Sequence, residues 1–475
     1  MASLFTSLFL PHNRAMERRE FAESICRRLR DAGFQAYLVG GCVRDILLGR
    51  EPADYDVATD ATPAEVMKIF PESITVGAEF GVMLVLEMDS ENTKDKVKRH
   101  QVEVATFRSD IGYSDGRHPD KVVYATTPQE DVRRRDFTIN ALVLDPATGE
   151  VLDFVGGRKD LKDGMIRAVG EPLRRFEEDK LRLLRAVRFA ARFGYRIEPE
   201  TLRAIREVAP AITQVSAERV RDELTKMLTE GAARRAFELL DETGLLDAVL
   251  PEVAKMKGVE QPPQFHPEGD VWVHTLLMLE GLRAECSQTL AWGVLFHDVG
   301  KPPTFTPPTG PHGRIRFDDH VGVGTKMAEV ICRRLRFSNE DAEQVAALVA
   351  NHLRFKDVPQ MRMATLKRFV RLNRFEEHLE LHRLDCLSSH RNLENYELVQ
   401  RFLRETPPEQ VRPPRLLTGD DLQGMGFRPG PAFKEILHAV EDAQLNGEVR
   451  TREEAKELVR GRYAAGESSN RLKIK

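Results

Sequence analysis

The spacing of apolar and polar positions changes along this chain, and the change divides it. Residues 16–32 repeat apolar positions at helical spacing and predict an amphipathic helix leading into a strand at Tyr37-Leu38-Val39. Gly40-Gly41 interrupts that strand, and Val43, Arg44 and Asp45 open the next helix. Asp54-Tyr55-Asp56, continued by Val57 and Ala58, reads as a second strand. Residues 74–88 and 101–108 are predicted strands, with the charged SENTKDKVKRH between them as a loop outside the sheet. The polar segment SDIGYSDGRHPD at 109–120 predicts a functional or unstructured loop. A further strand pair turns at DPATG, 145–149, and returns through VLDFVG, 151–156. From about residue 170 the spacing is helical nearly to the end. Proline-bearing connections interrupt it at 251–267 and 407–414, and the first predicts a domain boundary. The pattern therefore predicts an α/β head followed by a mostly α-helical remainder.

Composition adds limits rather than direction. A chain of 475 residues with 41% hydrophobic and 31% charged positions fits a soluble globular protein, with roughly two to four domains. A net charge of −4 gives no argument for nucleic acid, although residues 167–192 hold eight Lys/Arg against four Asp/Glu. Five scattered cysteines without a C-x-x-C spacing indicate neither a disulfide framework nor a cysteine zinc site, and fit a reducing cytoplasm. The apolar opening lacks a basic n-region and a small-residue cleavage site, so no signal peptide is expected. No apolar run reaches the length of a membrane span.

Two stretches carry the chemistry of the head. In LVGGCVRD, 38–45, the glycine turn lets backbone N–H groups approach an anion closely. In DYD, 54–56, the strand period of two points both carboxylates to one face. Paired carboxylates repel unless a cation neutralises them, and Mg²⁺ takes oxygen ligands together with substrate phosphates. Together the two stretches describe a nucleotidyl-transfer site. Asp54 and Asp56 are the expected catalytic metal ligands, Gly41 and Arg44 the expected triphosphate contacts. Glu103, mid-strand in VEVATFR, is a candidate third carboxylate or a solvent-facing strand residue.

With these, RRRDFTINAL at 133–142 and EDKLRLLRAVRFAARFGY at 178–195 resemble the class II tRNA nucleotidyltransferase family, which includes CCA-adding enzymes and bacterial poly(A) polymerases. The resemblance implies a polymerase-β-type head at 1–160 and a helical neck at 161–255 that templates the nucleotide and binds RNA. It further implies a domain at 256–405 like HD metal phosphohydrolases and a helical tail at 406–475. By the same resemblance Arg135 contacts the nucleotide, while Asn140 holds the local fold. Asp179, Arg182, Arg185 and Arg188 recur every three residues, and the same helix is expected to bury Leu181, Leu184, Val187 and Phe189 on its other side. The family implies that Asp179 accepts from the exocyclic amine of cytosine or adenine and that Arg182 donates to the adjacent ring nitrogen. Uracil and guanine offer the opposite polarity there. Arg185 and Arg188 are expected to help position the nucleotide.

In the second half, His274, His297-Asp298 and Asp385 follow the H…HD…D order of HD hydrolases and are the expected metal ligands. His320 and His352 complete a second metal position. The ions expected are Mg²⁺ in the head and Ni²⁺, Mn²⁺ or Mg²⁺ in the HD domain. The implied function is template-independent addition of CCA to tRNA 3′ ends from CTP and ATP, with no membrane or DNA partner. Its rivals are a tRNA A-adding enzyme, a poly(A) polymerase, or a phosphohydrolase whose head only binds RNA.

Overall fold

The computed structural model describes residues 10–76, 81–88, 98–111, 121–309 and 313–463. The chain divides into two compact units, Met1–Ala254 and Lys255–Lys475. The break falls at the far end of a short helix, Pro251–Ala254, within the proline-bearing connection.

The first unit is built on strands β1 (Ala36–Val39), β2 (Asp56–Thr59), β3 (Ile74–Thr75), β4 (Val82–Met88) and β5 (Lys98–Thr106). A separate hairpin, β6 (Arg108–Ile111) with β7 (Lys121–Tyr124), follows, and β8 (Val143–Leu144) and β9 (Val151–Leu152) complete the main sheet. Its order is β3-β4-β5-β2-β1-β8-β9. β2 and β5 run parallel while the other neighbours are antiparallel, and this register sets Asp56 directly beside Glu103. Val39, Ala58, Phe107 and Val143 are buried together, which fixes the sheet against the elements that cover it. Helices dominate from residue 157 onward, so the expected fold class holds.

Several expected bounds shift. The first helix spans Leu10–Asp31, longer than the 16–32 predicted. The single strand expected over 74–88 is two short antiparallel ones, and β5 begins at Lys98, inside the stretch expected as a loop. The return strand ends at Leu152, because the Asp153 carboxylate caps the backbone N–H groups of Gly156, Gly157 and Arg158 and starts a helix there. Of the segment 109–120, expected as a loop, residues 109–111 belong to strand β6 and the rest lies outside the described residues, as do residues 1–9 of the apolar opening.

The second unit is helical apart from a small hairpin, Phe305–Thr306 with Arg316–Phe317. Its metal-type residues come from helices Val271–Glu280, His320–Arg334 and Phe375–Ser388, from the turn that follows helix Gln288–Phe296, and from the 3₁₀ segment His352–Gln360. Toward the C-terminus, helix Pro431–Asn446 docks on Met363–Phe369. Glu441 accepts from Arg368 at 3.0 Å and Arg371 at 2.8 Å, and Asn446 accepts from the Ala364 N–H at 2.9 Å. Among the described residues no helix is long and apolar enough to cross a membrane.

Candidate active sites

In the first unit the glycine turn, the arginine segment and helix Leu181–Phe193 enclose a cleft of about 460 Å³. Gly40 takes φ +78°, and a Cβ there would lie 2.9 Å from Arg135 Nη1 and 3.8 Å from Asp56 Oδ2. The positive φ favours glycine at this turn. Arg44 is buried and fork-bonded to Asp45 (2.8 and 3.0 Å), with a third bond to Asn140 Oδ1 at 2.5 Å. Asn140 in turn donates to Asp136 at 3.1 Å, so it does hold the local fold, as expected.

Asp56 is pushed up to about 6, first by burial and then by the adjacent Glu103 and Asp54 carboxylates, with Arg135 opposing. Repulsion of this kind is what a divalent cation relieves, although Asp54 and Glu103 are exposed and the three acids are not gathered as tightly as the groups of the second unit. Asp54 departs from its expected place on the strand, because β2 starts only at Asp56. The alternation survives nonetheless, with Tyr55 buried between an exposed Asp54 and a half-buried Asp56.

Asp179 lies just before the arginine helix rather than on it, and both of its oxygens are engaged by Arg219, at 3.2 and 2.7 Å. Arg182 is held by Glu178 (2.8 Å) and by the carbonyls of Arg175 and Arg134. Arg185 pairs with Asp136 at 2.8 Å. Burial works against the Asp136 charge, but Arg185 more than offsets it and holds the carboxyl below its usual range. Arg188 is buried against Glu223 at 2.7 Å and Glu230 at 3.2 Å.

Helical geometry explains the difference between Arg182 and Arg188. Three residues advance about 300°, so each step drifts about 60°, and by Arg188 the stripe has drifted far enough to reach Glu223 and Glu230 while still lining the cleft. The same arithmetic corrects Phe189, which was expected on the opposite side. Seven residues make about two turns, so Phe189 shares the face of Arg182 and lines the cleft, with Arg185 and Arg188 over its ring at 5.2 and 4.4 Å. Arg219 and Glu223 carried no local signal, since they lie 35 to 40 residues from their partners.

In the second unit the histidines and acids gather as the sequence predicts. Ligand atoms of His274, His297 and Asp385 lie within 4.8 Å of one another, as do those of Asp298, His320 and His352. Asp298 gathers with His320 and His352, and its Oδ2 also lies 3.1 Å from His297 Nε2, so it stands between the two groups. A third group, His266, Glu268 and His274, adds residues that the motif order did not reveal.

The histidines are oriented alike. His297, His320 and His352 each set Nδ1 on the carbonyl three residues back, those of Val294, Phe317 and Val349, at 2.8, 3.0 and 2.7 Å. His274 Nδ1 meets Glu268 at 2.7 Å. The four Nε2 atoms are buried and make no hydrogen bond, facing carboxylate oxygens at 3.1–3.8 Å instead. Imidazoles fixed by Nδ1 with Nε2 turned inward fit divalent metal ions. Lys301 Nζ stands 2.6 Å from Asp298 Oδ2 and helps to keep that acid charged. Burial lowers His274, but Asp385 and Glu268 more than offset it and hold the imidazole at about 9. Gly300 allows the approach of the histidine helix, since a Cβ there would run into the His320 carbonyl and Gly324.

Comparison with known proteins agrees with this geometry. Residues 36–167 match the poly(A) polymerase head domain, 194–257 the probable RNA- and SrmB-binding site of polymerase A, and 271–385 the HD domain. The CCA-adding enzyme of Geobacillus stearothermophilus is 43% identical over 233 residues, 49% of this chain and 55% of that one. The first half of this chain is thus similar to the CCA-adding enzymes of the class II tRNA nucleotidyltransferase family. A second family member, the CCA-adding enzyme of Lactobacillus gasseri, is 39% identical over 260 residues, 54% of this chain and 63% of that protein. The match thus spans little more than half the length of these curated relatives. Among solved structures of the family, the Bacillus stearothermophilus CCA-adding enzyme in complex with CTP has a TM-score of 0.69 at 28% identity, covering 94% of this chain and 98% of that one. The Thermotoga maritima CCA-adding enzyme complexed with tRNA_CCA shares the fold, with a TM-score of 0.53 at 20% identity over 95% of this chain and 98% of that one.

Proposed function

We propose that the head adds CCA, from CTP and ATP, to tRNA 3′ ends, and that the HD cluster hydrolyses a phosphoester. The observation that carries the first reading is the cleft itself. Asp56, beside Glu103, meets the glycine turn at one side, and Asp179 and Arg182 line the other.

Asp54, Asp56 and Glu103 are the residues that would hold Mg²⁺. When bound, the ion neutralises triphosphate charge and makes the attacking 3′-hydroxyl more acidic. The N–H of Gly41, with Arg44 and Arg135, orients the triphosphate. Asp179 accepts from the exocyclic amine while Arg182 donates to the ring nitrogen, which admits cytosine and adenine and leaves buried partners unpaired with uracil and guanine. Arg185 and Arg188, anchored by Asp136 and Glu223, keep Phe189 and the adjacent wall in place.

The similarity to CCA-adding enzymes supports this reading over A-only addition or poly(A) tailing. The HD residues would hold Ni²⁺, Mn²⁺ or Mg²⁺, which supplies activation of water against a phosphoester. Head (1–160), neck (161–255), HD domain (256–405) and tail (406–475) are the proposed functional parts, working in the cytoplasm.

The deciding assay offers tRNA lacking CCA, tRNA ending in CC and an unrelated RNA, each with labelled CTP or ATP. Incorporation of both nucleotides into the first substrate alone is the expected result. Addition of A only, and only to tRNA ending in CC, would replace the reading with A-addition.

A further inference from the structure

The two carboxylates of the DYD segment face different spaces. Asp56 lines the cleft of about 460 Å³ described above, whereas Asp54 lines a separate depression of about 240 Å³ that shares no residue with it. Strand register explains the division. β5 sets Glu103 beside Asp56, and two residues earlier, on the same face, it presents Gln101 to the depression. Another wall is Arg18, from the first helix, Leu10–Asp31. One of its N–H groups donates to the Ala53 carbonyl at 2.9 Å, so the guanidinium is tied to the residue just before Asp54. Arg18 is exposed and has no carboxylate partner among the described residues, while its neighbour Arg19 is taken by Glu23 at 2.8 Å. A guanidinium pinned by one N–H keeps the rest of its fork for a phosphate.

We propose that this depression receives the 3′-terminal nucleotide of the accepting RNA, and that Arg18 grips the phosphate joining that nucleotide to the one before it. The proposal rests on the reading of the head as a nucleotidyltransferase and adds what that reading lacks, the place of the acceptor. In phosphoryl transfer the attacking and leaving oxygens stand roughly in line across the phosphorus. By that reading the triphosphate lies along the glycine turn. The attacker then approaches from the side of the acids away from it, where Asp54 opens to the depression. The 3′-oxygen bonds to the α-phosphorus, the bond to pyrophosphate breaks, and the hydroxyl proton passes to solvent. Arg18 enters none of these changes; it is a positioning residue. One unpaired cation matches the single charge of a phosphodiester. A second nucleoside triphosphate fits less well, since Asp54 opposes its charge and only one guanidinium meets it.

The test uses the full chain with tRNA lacking CCA and labelled CTP. Arg18→Ala should raise KM for the tRNA by about tenfold, the scale of one lost charge-assisted hydrogen bond, and leave KM for CTP unaltered. Arg18→Lys should recover part of the loss, since a point charge still meets the phosphate. An acceptor-stem minihelix with an uncharged methylphosphonate in place of its last phosphodiester locates the contact. It should bind the wild type about tenfold more weakly than the natural minihelix, and bind Arg18→Ala as well as the natural one does. Losses that add would overturn the assignment, as would an unchanged KM for tRNA or a raised KM for CTP alone in Arg18→Ala. Binding is read without turnover, by fluorescence anisotropy of the labelled minihelix. In Arg18→Ala the slope of log Kd on log salt should fall by about 0.7, the share of one single-strand phosphate. That drop without incorporation by the wild type would keep the acceptor contact and remove the nucleotidyl-transfer reading. Incorporation by the wild type, with slope and tRNA KM unaltered in Arg18→Ala, would do the reverse.

Discussion

Asp56 and Asp179 show two ways of placing a carboxylate. Asp56 is crowded by other acids, so its charge is costly until a cation arrives; Asp179 is already clasped by Arg219. Asp54→Asn or Asp56→Asn should therefore lower nucleotide incorporation by about 10²–10³ or more while the protein melts at an unchanged or higher temperature. Incorporation at wild-type rates would remove both residues from the catalytic assignment. Asp179→Ala or Arg182→Ala should act on choice instead, raising UTP and GTP incorporation relative to CTP and ATP by about 5–150-fold, the scale of a lost base-edge contact. Arg219→Ala should move selectivity in the same direction, because Asp179 loses its clasp. Retained selectivity in all three variants would place the template elsewhere. Gly40-Gly41, Arg135, Asp179 and Arg182 were legible in the sequence because their signal is local or carried by a short motif. Arg219 and Glu223 were not, since a salt bridge across 35 to 40 residues leaves no periodic trace.

At the scale of elements, most differences from expectation trace to phase and capping. The Arg182–Arg188 stripe reads as one face only if the drift of a 3.6-residue helix is ignored, which is why Arg188 reaches the acids Glu223 and Glu230 and Phe189 joins the stripe in the cleft. The return strand stopped early because Asp153 caps the next helix. The segment from Pro128 to Asn140 stays in place through ion pairs, Asp131 with Arg134 at 2.7 Å and Arg135 at 3.1 Å, and Asp136 with Arg185. Burial raises both carboxyls, but the arginines outweigh it and leave them below their ordinary value. Groups depressed on folding stabilise the protein fully above their unfolded pKa, about 3.9. That contribution is lost as pH falls through the lower folded value. The melting temperature should accordingly be level in pH above about 4.5 with respect to these groups and fall below it. Asp131→Asn should melt lower at neutral pH and fall less steeply in acid. A parallel fall in variant and wild type would show that Asp131 adds nothing to the acid response.

The whole chain carries two candidate sites on separate frameworks, an α/β sheet and a helical cluster, each with its own set of acids. They should fail separately. His297→Ala, with metal content measured beside both activities, should lose bound metal and phosphoester hydrolysis while nucleotide addition persists; loss of both together would show that they are coupled. The two frameworks also remember their geometry differently. In the head, the placement of Asp179, Arg185 and Arg188 is written in distant side chains, so a random substitution at Arg219, Asp136 or Glu223 can spoil it. In the cluster, three imidazoles are aimed by main-chain carbonyls at 294, 317 and 349. A carbonyl is common to all twenty amino acids, so side-chain scanning at these positions would report only packing and pass over their role in aiming the ring. Exchange of Val294 or Val349 for Ile should leave the aim of the rings unchanged. The alteration that would register is one no codon encodes: an ester in place of the amide that follows Val294, which weakens the acceptor, lets the His297 ring swing, and leaves every side chain as it was.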